Sequence, residues 1–175
     1  MKICVFCSAN EHIDPEYFSA AAELGKWAAC QGHDIVYGGV NQGLMERLAQ
    51  AVHEAGGRTI GVVPTMVEKT GRTSDFVTIL IPCDNLTDRK QLMMDQADVF
   101  VALPGGIGTL DEVFTVVASA TIGYHHKKVV LYDVNHFWQP LISLLDDLQQ
   151  RGMVRGEWRQ YIGVASTLSE LEQLL

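Results

Sequence analysis

The sequence predicts a doubly wound α/β fold, with a Rossmann-like parallel sheet in a single domain over residues 1–175. Short apolar runs of buried-strand length alternate with amphipathic helix patterns along the chain. Two of these runs, ending in Val36-Tyr37 and Ala102-Leu103, are followed by a Gly-Gly pair and then by a helix pattern. Since parallel strands present their carboxyl ends at one edge, we expect both glycine turns at the edge where such folds bind ligands.

The first half of the chain is predicted to contain three strands, two helices and a loop. The elements are a strand over 2–7, a helix over 15–31, a strand over 33–37, a helix from 43 to about 55, and a strand over 59–63. Asp14 and Pro15 are typical of a helix start, and Gly32 of a helix end. Residues 65–75 are polar and contain several threonines, so we expect a mobile loop there.

The second half continues the alternation. The predicted elements are a short edge strand over 76–81, a helix to about 97 capped by Asn85 or Thr87, a strand over 98–103, a helix over 109–122, a strand over 127–132, a helix over 136–150, and a last helix from Ser169. The helix over 109–122 is apolar nearly all round, and a sheet covers only one side of it. We therefore expect the other side to pack on a second subunit, in a homodimer or higher homo-oligomer.

Composition excludes several classes of protein. The 47% hydrophobic and 19% charged fractions are typical of a globular domain rather than a disordered chain. The net charge of −8 argues against non-specific nucleic-acid binding. Neither a membrane span nor a signal-peptide core is recognisable, so we expect a cytoplasmic protein. The four cysteines and six histidines show no ligand spacing, and we predict no metal.

The stretch over 103–112, Leu-Pro-Gly-Gly-Ile-Gly-Thr-Leu-Asp-Glu, is predicted to be a tight turn between a buried strand and a helix. Its glycines are Gly105, Gly106 and Gly108. They expose backbone N–H groups at a helix N-terminus, which is where phosphates bind. The alternative is a capping box between Thr109 and Glu112, but a capping box requires neither three glycines nor a proline. We therefore favour a phosphate site with Glu112 beside the ligand.

Three other polar residues are candidates for the same site. Arg89 and Lys90 are adjacent cations in an acidic protein, and adjacent helical residues point about 100° apart. One of them can enter the site while the other points elsewhere or binds a phosphate; the alternative is a solvated helix face. Ser8 follows the first strand and could bind phosphate or sugar, or it could be an ordinary loop hydroxyl.

Two blocks together resemble the LONELY GUY family: Asp88-Arg89-Lys90, and Pro104-Gly105-Gly106-x-Gly108-Thr109-x-x-Glu112. Members of this family are cytokinin riboside 5′-monophosphate phosphoribohydrolases, often mislabelled lysine decarboxylases. Further blocks match in order along the chain: Val5-Phe6-Cys7-Ser8, Val36-Tyr37-Gly38-Gly39, Gly43-Leu44-Met45 and Ala55-Gly56-Gly57-x-x-Ile60-Gly61-Val62-Val63-Pro64.

The resemblance implies a Rossmann-like dimer that needs no cofactor. It would hydrolyse the N-glycosidic bond of an N6-modified adenosine 5′-monophosphate to free base and ribose 5-phosphate. Arg89 and Glu112 match the family's catalytic pair. The positions that match its substrate-binding blocks are Ser8, Gly38, Gly39, Arg89, Lys90, Gly105, Gly106, Gly108, Thr109 and Glu112.

Two non-catalytic functions compete with this interpretation. A carrier of a nucleotide or of molybdenum cofactor would keep the glycine turn but would not need the pair of Arg89 and Glu112. A regulatory dimer that senses a nucleotide would bind its ligand without turnover. A lysine decarboxylase is disfavoured, because no Schiff-base lysine with a pyridoxal phosphate site is recognisable.

Overall fold

Seven strands alternate with helices in the computed structural model, which describes residues 1–175. The strands are β1 (Lys2–Phe6), β2 (Asp34–Tyr37), β3 (Thr59–Pro64), β4 (Ile79–Cys83), β5 (Val99–Ala102), β6 (Val129–Tyr132) and β7 (Ile162–Ala165). The helices are α1 (Pro15–Cys30), α2 (Gly43–Glu54), α3 (Thr65–Lys69), α4 (Leu86–Gln96), α5 (Ile107–Thr121), α6 (Gln139–Gln150) and α7 (Leu168–Leu174). Two short 3-10 helices span Val134–His136 and Trp158–Gln160.

All seven strands belong to one sheet of order β4-β3-β2-β1-β5-β6-β7, and every pair is parallel. Helices α1, α2 and α7 cover one face, and α4, α5 and α6 cover the other. The two faces bury apolar clusters of 22 and 19 residues, so the sheet is covered almost equally on both sides. The predicted doubly wound α/β fold is confirmed.

Three local predictions are wrong. The segment predicted as a loop over 65–75 contains helix α3. Strand β4 begins at Ile79 rather than at residue 76, and it includes Pro82, which is tolerated because β4 is an edge strand with one free side. A seventh strand, β7, lies in the C-terminal region, where no strand was expected.

The sequence signals for the helix starts are largely confirmed. The side chain of Asp14 accepts a hydrogen bond from the Glu16 backbone N–H at 2.9 Å, and Pro15 is the first residue of α1. Asn85 rather than Thr87 caps α4. None of the helices combines the length and the apolarity needed to cross a bilayer.

Candidate active site

The candidate site lies where the direction of the sheet order reverses. From β1 the chain winds outward through β2, β3 and β4, and it then returns to place β5 on the other side of β1. In this fold class the crevice between the carboxyl ends of two such strands binds ligands. The loops after β1 and β5 meet there, because the backbone N–H of Ser8 donates to the carbonyl of Pro104 at 3.2 Å.

The turn after β5 leads directly into the N-terminus of α5. Gly106 is the N-cap residue, and no side chain caps the helix. The capping-box alternative is wrong, since Thr109 already lies within the first turn of α5 and Glu112 pairs elsewhere. The N–H groups of Ile107, Gly108 and Thr109 therefore have no acceptor within the helix, and the helix dipole favours an anion at this point.

The three glycines of the turn meet two different steric environments. None of them adopts the left-handed conformation, and Gly106, with φ −98° and ψ −146°, lies just outside the β region. A Cβ atom on Gly105 would lie 2.1 Å from the hydroxyl oxygen of Thr109, which is buried. A Cβ atom on Gly106 or Gly108 would meet nothing within 4 Å. Gly105 thus allows the turn to pack on α5, whereas Gly106 and Gly108 leave the backbone open to the cavity.

A cavity of about 270 Å³ lies against this turn. It is lined by Cys7, Ser8, Ala9, Met45, Arg89, Gly106, Gly108, Thr109 and Glu112. A second cavity, of about 250 Å³, shares Ser8 and Gly106 with it and contains Gly105 and Pro104. The walls of this second cavity include Ile13, Tyr17 and Phe137, so it is partly apolar and aromatic.

An ion pair between α4 and α5 forms one wall of the first cavity. Nη2 of Arg89 donates to Oε1 of Glu112 at 2.5 Å. The side chains are only 14% and 4% exposed, respectively, so the pair is largely withdrawn from solvent. Nε of Arg89 is buried and has no hydrogen-bond acceptor. The side chain of Arg89 also lines the cavity, so its guanidinium can meet a ligand there.

Burial raises the pKa of the Glu112 carboxyl above its ordinary value, and the charge and hydrogen bond of Arg89 oppose that rise. The neighbouring charges act in opposite directions, since Asp111 raises this pKa and Lys90 lowers it. Burial also raises the pKa of the Cys7 thiol, so this thiol is neutral near pH 7. The ionisation of Glu112 thus depends on the cations supplied by α4.

The two adjacent cations point in different directions, as the helix geometry predicts. Arg89 faces the cavity, whereas the ammonium of Lys90 donates to both carboxylate oxygens of Asp111, at 2.9 and 2.7 Å. Gly38 lies behind the guanidinium, because a Cβ atom there would be 3.4 Å from Nη1 of Arg89. Gly39 has φ +69°, and a Cβ atom there would lie 2.4 Å from a methyl group of Val63, so packing and backbone both require glycine.

The comparisons with known proteins identify the family. The family model described as "Possible lysine decarboxylase" matches residues 45–175. A probable cytokinin riboside 5′-monophosphate phosphoribohydrolase of Oryza sativa subsp. japonica is 38% identical over 174 residues, which cover 99% of this chain and 71% of that protein. The chain belongs to the LONELY GUY family. A cytokinin riboside 5′-monophosphate phosphoribohydrolase of Arabidopsis thaliana is 36% identical, over 99% of this chain and 81% of the relative.

Solved structures show that the LONELY GUY fold of this chain is shared with cofactor-binding proteins. A molybdenum cofactor binding protein from Rippkaea orientalis has a TM-score of 0.75 and 26% identity, covering 99% of this chain and 93% of that one. A Moco carrier protein from Chlamydomonas reinhardtii has a TM-score of 0.74 and 26% identity, with the same coverage.

Sequence reasoning did not assign four residues that the structure places at or beside the site. Cys7, Ala9 and Met45 line the cavity, and Asp111 binds Lys90. Cys7 and Met45 belong to sequence blocks that match the LONELY GUY family, and this match could have indicated that they lie at the site. The pairing of Lys90 with Asp111 is a long-range contact, and neither residue type alone indicates it.

Proposed function

We propose that this protein hydrolyses the N-glycosidic bond of an adenosine 5′-monophosphate, N6-modified as in cytokinin precursors, to free base and ribose 5-phosphate. One observation carries the proposal: a buried carboxylate–guanidinium pair lies just beyond a helix N-terminus that is open to an anion. Glu112 follows Gly108 by four residues, which is about 6 Å along the helix axis. A ribose 5-phosphate can span this separation, with its phosphate on the turn and its anomeric carbon beside Glu112.

The site residues then take the following roles. The 5′-phosphate accepts hydrogen bonds from the N–H groups of Gly108 and Thr109, and Ser8 contacts the phosphate or the sugar. As the bond between C1′ and the base nitrogen breaks, positive charge builds on the ribose, and the Glu112 carboxylate stabilises it. Glu112 also orients the attacking water and accepts its proton, and the water oxygen bonds to C1′ as the bond to the base breaks. The base nitrogen keeps the bonding electron pair and takes up the proton that Glu112 accepted, which returns Glu112 to its carboxylate form.

Arg89 acts on both the Glu112 carboxylate and the substrate. Its charge favours the ionised form of Glu112 against the effect of burial. Its side chain lines the cavity, where the guanidinium N–H groups can donate to the substrate. The guanidinium does not act as the base, because its own pKa keeps it protonated.

The names of the relatives support the same reaction, since both are phosphoribohydrolases of cytokinin riboside 5′-monophosphates. The other family description, possible lysine decarboxylase, does not fit the site. No lysine lines the cavity, and the ammonium of Lys90 is bound to Asp111. The amine that a Schiff base would require is therefore missing from this cavity.

A non-catalytic carrier is the second candidate. The similarity to molybdenum cofactor carriers over almost the whole chain favours it, as do the two cavities that meet at Ser8 and Gly106. A carrier has no use for a buried carboxylate beside the ligand. Burying an ion pair costs desolvation free energy, so its presence favours the hydrolase.

The proposal includes a homodimer and a cytoplasmic location. Helix α5 presents apolar side chains to solvent at Ile107, Phe114 and Ile122, with exposures of 88%, 38% and 64%. A second copy of the chain would cover this face. All four cysteines are free thiols, which fits a reducing compartment.

The test is to incubate the protein with AMP and with isopentenyladenosine monophosphate in phosphate-free buffer and to separate the products by chromatography. The hydrolase releases the base and an equal amount of ribose 5-phosphate, and the ratio between the substrates identifies the preferred base. A carrier or a sensor binds nucleotide and releases no base, which would refute the proposal.

A further inference from the structure

We infer that Lys90 and Asp111 form a positioning pair, which holds the start of α4 against α5 and thereby keeps the Arg89 guanidinium on Glu112. This inference rests on the proposed function. It also gives Lys90 a different role from the nucleotide contact that the family resemblance implies.

The register of the contacts is the first argument. Arg89 and Lys90 are consecutive in α4, and their partners Glu112 and Asp111 are consecutive in α5 in reverse order. The two bridges are therefore neighbours across one helix–helix contact, and a shift of α4 would break both. The Lys90 ammonium contacts both oxygens of Asp111, at 2.9 and 2.7 Å, so the two side chains are closely paired.

The weak apolar anchoring of α4 is the second argument. Met93 is the one fully buried residue of this helix, and Leu86 in its first turn is 62% exposed. Apolar packing thus holds the middle of α4 and leaves its first turn to polar contacts. Lys90 is the first residue after this turn and follows Arg89, whose position determines the catalytic ion pair.

Charge around Glu112 is the third argument. Asp111 is 57% exposed and lies beside the open N-terminus of α5, where its charge would repel a phosphate. Lys90 neutralises that charge. The titratable and charged groups that act on Glu112 or share its surroundings are Arg89 and Lys90 from α4, Asp111 from α5, and the thiols of Cys4 and Cys7 at β1. Removing Lys90 leaves Asp111 uncompensated next to the reacting carboxylate.

The experiment measures base release by the variants Lys90→Met and Asp111→Asn and by their double mutant. We expect each single variant to lower kcat roughly tenfold with little change in KM, and the double mutant to be no worse than either one. The charge reversal Lys90→Asp with Asp111→Lys should recover part of the loss. Asp95→Asn is the matched control, because the carboxylate of Asp95 accepts a hydrogen bond from Gln91 within α4.

A second readout does not need turnover. In a carbon-13 NMR titration of Glu112, Lys90→Met should raise its pKa, Asp111→Asn should lower it, and Asp95→Asn should leave it unchanged. If the Met variant fails to fold, Lys90→Arg keeps the charge and should retain most of the activity. Wild-type protein that releases no base would refute the proposed function, and the titration would still decide the role of the pair.

Three results would overturn the inference. One is a large increase in KM for Lys90→Met with no loss in Asp111→Asn, which indicates that Lys90 contacts the nucleotide. Another is additivity of the two substitutions in kcat. The third is a Glu112 titration that neither substitution shifts.

Discussion

Alanine substitutions at the three glycines of the turn should separate packing from ligand binding. At Gly105 the added methyl group would lie 2.1 Å from the Thr109 hydroxyl oxygen and 2.6 Å from its Cβ atom. Thr109 is 3% exposed, so its side chain is packed inside the protein and the clash cannot be relieved by turning it into solvent. Overpacking of this kind costs about 1–3 kcal/mol. In a chain of 175 residues this lowers the melting temperature by about 3–10 °C.

Gly106→Ala and Gly108→Ala should behave in the opposite way. The added methyl group meets no protein atom within 4 Å at either position. Gly108 lies inside α5, whereas Gly106 has φ −98° and ψ −146°, just outside the β region that alanine prefers. Stability should rise by about 0.4–1 kcal/mol for Gly108→Ala and change little for Gly106→Ala, where the backbone conformation offsets the gain. Both methyl groups, however, would stand in the space that a phosphate needs to reach the N–H groups. Losing one charge-assisted hydrogen bond costs about 1.5–3 kcal/mol, so AMP should bind at least roughly tenfold more weakly.

The assay combines thermal unfolding with calorimetric titration of AMP on the wild type and the three single variants. Gly105→Ala should be the least stable variant, whereas Gly106→Ala and Gly108→Ala should be stable and bind poorly. Full AMP affinity in both stable variants would refute the assignment of the turn as a phosphate site. Equal destabilisation by all three substitutions would refute the steric distinction between them.

Three further predictions concern electrostatics, assembly and a buried hydrogen-bond acceptor. Burial raises the folded-state pKa of Glu112, so this group stabilises the fold most below its ordinary pKa and loses that contribution as the pH rises through the folded value. The substitution Arg89→Gln should raise the pKa of Glu112 further. The variant should therefore have a lower free energy of unfolding in urea than the wild type at pH 7, and the difference should shrink towards pH 5. A difference that is independent of pH would contradict this. Phe114→Glu should convert the proposed dimer to a monomer in light scattering, and an unchanged mass would argue against α5 as the interface. Buried Asp133 accepts hydrogen bonds from the Trp138 backbone N–H at 2.6 Å and from the Gln139 side chain at 2.5 Å. Asp133→Ala should therefore lower the free energy of unfolding, measured by thermal unfolding, by about 2–3 kcal/mol. A loss below about 0.5 kcal/mol would show that these donors find other partners.

The fold was largely predictable because its signals are local. Asp14 and Pro15 mark a helix start, and buried runs such as 99–102 are apolar throughout because both faces of the sheet are covered. Strand β7 was missed because Ile162–Ala165 is short and contains a glycine, so its pairing with β6 rather than its own pattern makes it a strand. Helix α3 is five residues long and buries none of them, which leaves no apolar periodicity to recognise.

The residues of the site were predictable from the sequence, but the ion pairs between them were not. Glycines before a helix indicate an anion site through elementary helix chemistry, and the family blocks add Arg89 and Glu112. The sequence does not reveal that α4 presents Arg89 to Glu112 and Lys90 to Asp111, because these contacts join residues 23 and 21 positions apart. They depend on how two helices pack on one face of the sheet, which no local pattern encodes.

The central claim is that Glu112 drives cleavage of the glycosidic bond, and base release by Glu112→Gln tests it most directly. Glutamine keeps the size of the side chain and removes the charge. We expect base release from AMP and isopentenyladenosine monophosphate to fall at least ~100-fold, the usual scale for removing one acid–base or charge-stabilising group. AMP should still bind the variant, because the glycine turn is intact. Base release at the wild-type rate by Glu112→Gln would contradict the account.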